Sequence, residues 1–286
     1  MSLTTDRPQA EAAYAAAYPK MVEANGLEIY VQQVGHGPDV LLIGGLGDTV
    51  ESWQFQLDGL ADRYRLTAFD NRGAGRTAMP DGPLTVQAMA DDTAGVMRAL
   101  EIGSAHVAGF SGGSIICQEV AVRHPELVRS LVLQSTWAAL DPYFRSWGLF
   151  VRWLAEVAPS ERAFFDAFFT WVYSPGAHAD GWVDAVVEEA MAFEHQQPIE
   201  GFQAQVDVCI THDTVGRLAD IAVPTLVLAG EFDVVLPPRF GEAVAAAIPG
   251  ARFEVLPGQA HQPFQEIPDE FNTRVDEFWR EVEAGA

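Results

Sequence analysis

A serine set among small residues, Gly109-Phe110-Ser111-Gly112-Gly113, stands where the apolar run 106–110 gives way to a helical pattern over 112–125. A strand that turns at once into a helix forces its central residue into a strained backbone conformation, and small neighbours let the two segments pass. This is the physical content of a G-x-S-x-G turn that holds out a serine hydroxyl as a nucleophile. The serine also lies at the positive end of the following helix, where developing negative charge is favoured. The plainer alternative is that Ser111 only caps that helix.

A serine hydroxyl needs a base, and the base needs an acid to hold its tautomer. Asp233 falls just past the apolar run 224–230, in a loop leading to a proline-started helix, and His261 falls in the loop after the run 251–257. The order Ser111, Asp233, His261 is the one expected of a hydrolase built on such a turn. Glu231, two residues before Asp233, is the rival acid. His106 and His124 read as packing or surface residues. His212-Asp213 reads as structural, because adjacent residues on one helix point to different faces. The glycine-rich stretch Asn71–Arg76 lacks the strand, spacing and helix of a dinucleotide fingerprint. No His/Cys/Asp/Glu cluster has metal-ligand spacing, so neither a metal nor an organic cofactor is expected.

These residues need a scaffold that brings strand ends together. The runs 39–45, 106–110, 130–136 and 224–230 are short, continuous and apolar, as in buried parallel strands; 64–70 and 251–257 read as further strands. Helical patterns follow at 86–102, 112–125, 238–249 and 269–283. The alternation predicts an α/β sheet covered on both faces. From Trp137 to about Gly216 no strand pattern appears, but aromatics recur at helical spacing. The expected organisation is an arm over 1–20, whose Ala-rich stretch 10–18 reads either as a short helix or as a loosely ordered terminus, a core over 21–136 and 217–286, and a helical cap over 137–216.

With the blocks "GGLGDTVESW", "FDNRGAGRT", "GFSGGS", "RHPELVRSLVL", "PTLVLAGEFDVVLP" and "PGQAHQPFQEIPDEFN" in that order, the chain resembles the α/β-hydrolase superfamily from about Gly26 to Trp279. It looks most like the lid-bearing subgroup that includes 3-oxoadipate enol-lactonases, small carboxylesterases and cofactor-free haloperoxidases. The resemblance implies an oxyanion hole made by the backbone N–H of Gly112 and, by motif alignment, of Leu46. Many relatives carry His-Gly where this chain has Gly44-Gly45, which puts the shape of that loop in question. Epoxide and haloalkane hydrolases of this fold use an aspartate at the position of Ser111, which speaks against both.

Composition narrows the partners. The net charge of −23 comes from 40 acidic against 17 basic residues, with Lys20 the only lysine. Such a surface disfavours nucleic acid and anionic membranes. A small-molecule substrate is the expected partner, with a second subunit as one place for the arm to lie. Cys117 and Cys209 are too few for a disulfide scaffold and read as small buried hydrophobes in a reducing compartment. Asp6 and Glu11 stand where a signal peptide would be basic or apolar, and no run is long enough to span a membrane, so a cytoplasmic location is expected.

The expected activity is cleavage of an ester or lactone of a small to medium, largely apolar substrate. Trp137, directly after a strand on the catalytic edge, is the expected substrate contact. Arg145 or Arg152 is a candidate for binding a single carboxylate. Two rivals stand beside this reading. Carbon–carbon bond hydrolysis and cofactor-free perhydrolysis use the same triad, and a slow-turnover ligand-binding protein would retain it.

Overall fold

The first two strands of the computed structural model, which describes residues 20–285, form a hairpin: β1 (Lys20–Ala24) and β2 (Leu27–Gly35). Asn25 and Gly26 turn it with φ of 54° and 75°, the two positive values that a tight two-residue hairpin turn requires. Sequence reading did not anticipate this hairpin. The expected arm, with its Ala-rich stretch 10–18, lies outside the described residues.

The rest of the sheet follows the expected alternation. In chain order come β3 (Asp39–Ile43), α1 (Gln54–Leu60), β4 (Arg65–Phe69), α2 (Val86–Ala99), β5 (Ala105–Phe110), α3 (Gly112–Arg123) and β6 (Val128–Gln134). After the helical segment come β7 (Thr225–Gly230), α8 (Pro238–Ala247), β8 (Arg252–Leu256) and α9 (Pro268–Gly285). The eight strands are ordered β1-β2-β4-β3-β5-β6-β7-β8, antiparallel at β1–β2 and β2–β4 and parallel elsewhere. The expected elements are present, with each end within three residues of its expected position. The short α1 is an addition.

Side chains alternate across each strand. Leu41, Ile43, Val107 and Leu133 pack with α2, α3 and α8 on one face, while Val40, Leu42, Ala108 and Val132 pack with α1 and α9 on the other. Burial on both faces is why these strands read as continuous apolar runs. Because β3 to β8 are parallel, their C-terminal ends open on one edge of the sheet, and the loops from those ends carry every candidate catalytic residue.

Between β6 and β7 the chain is helical: α4 (Pro142–Val157), α5 (Glu161–Val172), a short turn Pro175–Ala179, α6 (Trp182–Ala192) and α7 (Ile199–Thr211). A bridge between Ala139 and Asp213 closes the root of the segment. Its aromatics form their own packing, with Phe164, Phe168 and Phe202 in mutual contact. Among the described residues no helix is long and apolar enough to cross a membrane.

Candidate active site

Ser111 links β5 to α3 with φ 50° and ψ −119°, a conformation costly for any residue with a side chain. The surroundings leave the chain no room for an easier path. A Cβ on Gly109 would stand 2.4 Å from Cys117 Sγ, and one on Gly113 would stand 2.0 Å from the Ile43 carbonyl oxygen. The Ser111 N–H donates to Gln134 O at 2.9 Å, and the Ser114 N–H and hydroxyl both donate to Ser111 O. The backbone is thereby clamped while the side chain makes no capping bond to α3. That removes the capping alternative and leaves the hydroxyl to another partner.

The structure brings the three expected residues into one line. Ser111 Oγ is 3.0 Å from His261 Nε2, and His261 Nδ1 is 2.8 Å from Asp233 Oδ2. All three side chains are buried. A carboxylate oxygen can only accept, so Nδ1 carries the proton and Nε2 accepts from the serine hydroxyl. The N–H of His261 donates to Val172 O at the end of α5, and the Phe110 ring packs 4.9 Å from the imidazole. Glu231 faces away and accepts from the Gly258 N–H.

Asp233 is held on both oxygens. Oδ1 accepts from the N–H groups of Val235 and Leu236, at 2.9 and 2.7 Å, and Oδ2 accepts from the Ser135 hydroxyl at 2.9 Å as well as from His261. Ser135 was not anticipated. It follows β6 with φ 50°, a second strained non-glycine residue on the same sheet edge. Gln134 Nε2 donates to Ser135 Oγ at 2.7 Å, so the serine proton must point elsewhere, and Asp233 Oδ2 is its nearer acceptor, ahead of His261 O at 3.2 Å.

The loop after β3 faces Ser111. A Cβ on Gly45 would lie 3.1 Å from Ser111 Cβ, so a larger residue there would press on the serine. Gly45 N–H donates to Asp48 Oδ2 at 2.7 Å and Gly47 N–H to Gln205 Oε1 on α7 at 3.2 Å. Among the described residues the Leu46 N–H between them has no acceptor, nor has that of Gly112. The Leu46 nitrogen is 3.4 Å from where a Gly112 Cβ would be. The Gly44-Gly45 departure thus leaves Leu46, not Gly45, with the unused amide. Asp48 and Asn71, which donates through Nδ2 to Gly44 O at 2.9 Å, hold this loop and were also unanticipated. Asp48 also accepts from the Ser52 hydroxyl. Burial pushes its carboxyl above the usual carboxylate range, against the pull of those two hydrogen bonds and of nearby His261.

Above Ser111 lies a pocket of about 660 Å³, part of it open to solvent, walled by Leu46, Trp137, Phe144, Trp147, Val151 and Phe168. Trp137 is where the sequence placed it. Among the described residues Gln262 is the one side-chain amide on the wall. Cys209 also lines it, and burial pushes its thiol up to about 12, which makes it an inert part of the wall.

Neither arginine proposed for a carboxylate is there. Arg152 pairs with Asp207 at 3.0 Å, and Arg145 is exposed on α4. The other histidines stand apart from Ser111. His106 bonds Ser130 and Glu283, and His124 bonds Asp91. His212 sits past the end of α7, not within a helix as expected, and its Nε2 lies near Gln118 and Thr214 instead of Asp213. The arginines of the glycine-rich stretch serve the scaffold: Arg72 pairs with Asp92, and Arg76 with Glu51 and Asp70.

Known proteins share this arrangement of chain. The sequence matches the family model for the alpha/beta hydrolase fold over residues 38–171. It is 32% identical to a protein of Azorhizobium caulinodans named carbamate hydrolase RutD, over 90% of this chain and 96% of that one. It is 35% identical to a Mycobacterium tuberculosis protein named non-heme bromoperoxidase BpoC, over 87% and 97%. The crystal structure of the enol-lactonase from Burkholderia xenovorans LB400 superimposes with a TM-score of 0.82 at 25% identity, over 90% of this chain and 98% of that one.

Proposed function

The chain belongs to the alpha/beta hydrolase family and is an enzyme, and on that footing we propose that it is a serine hydrolase acting on an ester or lactone through an acyl-enzyme. The observation that carries the reading is the hydrogen-bonded line Ser111–His261–Asp233, beginning at a serine whose backbone is strained and whose side chain has no other task.

In this mechanism His261 Nε2 takes the Ser111 proton as Oγ attacks the substrate carbonyl. The Leu46 and Gly112 N–H groups, having no acceptor of their own among the described residues, receive the oxyanion. His261 then returns the proton to the leaving oxygen, which departs as an alcohol, or stays tethered in a lactone. Water deprotonated by His261 attacks the acyl-enzyme and frees Ser111. Helices α4 to α7 act as the cap over the acyl group. The wall residues support an uncharged, largely apolar acyl group, because among the described residues no arginine or lysine lines the pocket to pair with a carboxylate. The name of the bromoperoxidase relative supports a second reading, in which hydrogen peroxide replaces water at the acyl-enzyme.

The test is labelling with a fluorophosphonate probe, followed by hydrolysis of neutral and carboxylate-bearing p-nitrophenyl esters. Wild type should label and turn over the neutral esters, while Ser111→Ala and His261→Ala should do neither. Labelling that survives in folded Ser111→Ala would refute the assignment.

A further inference from the structure

Helix α4 is apolar on two sides. Phe144, Trp147 and Val151 face the pocket, yet Tyr143 is 76% exposed and Trp153 54%, with Leu149, Phe150 and Val157 exposed beside them. At 3.6 residues per turn these five fall on one face about 120° wide. An apolar face on a helix is ordinarily turned toward a packing partner, and among the described residues nothing covers this second face.

The charges beside the stripe identify what does. Every described arginine except Arg145 and Arg280 forms an ion pair within the chain. Arg145 borders the stripe, and Glu156, exposed and also unpaired among the described residues, borders it on the same side near the other end. Both stand equally far from the helix midpoint at Phe150 and Val151, and Tyr143 and Val157 nearly so. We propose that α4 docks antiparallel against α4 of a second copy of this chain, about a two-fold axis at that midpoint. Each Arg145 then meets Glu156 of the second copy, Phe150 packs near its own symmetry mate, and Tyr143 covers Val157 of the second copy. Such an isologous patch is self-complementary. A stripe one helix long lies at the small end of specific interfaces, so the dimer is reversible. The contact would brace the pocket wall from outside, since the opposite face of the same helix lines the pocket. It does not depend on the reaction assigned to Ser111.

The test is sedimentation velocity at physiological ionic strength over a concentration series. Wild type should pass from monomer to dimer as concentration rises. Phe150→Glu and Arg145→Glu should each weaken the dimer by about tenfold or more, since like charges then meet across the axis. The double charge exchange Arg145→Glu with Glu156→Arg should restore it. A wild type monomeric throughout would overturn the proposal, as would a dimer indifferent to both single variants or an exchange that restores nothing. A monomer that binds phosphatidylcholine vesicles through Phe150 would assign the stripe to lipid instead.

Discussion

The Ser135 hydroxyl donates to the same Asp233 oxygen, Oδ2, that accepts from the imidazole of His261, over 2.9 and 2.8 Å. The two residues are 98 positions apart in sequence, and the donation runs one way because Gln134 occupies the serine oxygen as a donor. In the proposed mechanism Ser135 is thus a positioning residue, acting on Ser111 through Asp233 and His261.

Removing that hydroxyl should slow catalysis without weakening substrate binding. A hydrogen bond to a charged group is worth about 1.5–3 kcal/mol, and each 1.4 kcal/mol is about tenfold in rate. Ser135→Ala is expected to lower kcat about tenfold or more with KM nearly unchanged, and to displace the acid limb of the pH profile of kcat/KM. Ser135→Gly, which relieves the backbone strain, should lose as much. Recovery of full kcat in the glycine variant would show that strain, not the hydroxyl, is what matters.

Asp48 ties the loop that presents Leu46. In Asp48→Ala the Gly45 N–H loses its acceptor and becomes a second free donor beside Leu46, so the loop no longer offers one fixed amide. Steady-state kinetics should show kcat down about tenfold, below the hundredfold or more that follows loss of an oxyanion donor outright. Asp48→Asn, which keeps a carbonyl for Gly45, should retain most of the rate. Equal losses in the two variants would count against the loop-holding role.

Two buried histidines should weaken the fold in acid. Burial lowers His212 to about 3 and His106 to about 4, against about 6.5 in the unfolded chain. Between those values and 6.5 the unfolded state binds more protons than the folded one, so stability falls as pH falls through that window. Each such histidine costs about 1.4 kcal/mol per pH unit there. Thermal melts should therefore be flat above about pH 7 and drop steadily below 6.5. His212→Asn should flatten the drop, and an unchanged slope would reject its share.

The legible parts of the site were those with a local cause. Ser111, Asp233 and His261 each follow an apolar run, and the small residues around Ser111 announce the turn. Asn25-Gly26 between alternating apolar positions is a local hairpin signal of the same kind. Ser135, Asp48 and Asn71 were not legible, because their roles rest on hydrogen bonds to loops from other strands, and nothing in their own neighbourhoods marks them. Arg145 and Arg152 failed as carboxylate binders for a related reason. The helical pattern places them on α4, but only packing against α7 decides which side of α4 meets the pocket.

The hydrogen bond from the His261 N–H to Val172 O fastens the loop of the base to the last residue of α5, and Gln205 on α7 grips Gly47. The roof is therefore tied to the two loops that the proposed mechanism uses. Replacing these helices wholesale in this chain would also unfasten His261. New substrate preferences can then arise by substitution within the existing helices, at wall positions such as Trp147 or Phe168, with both fastenings kept.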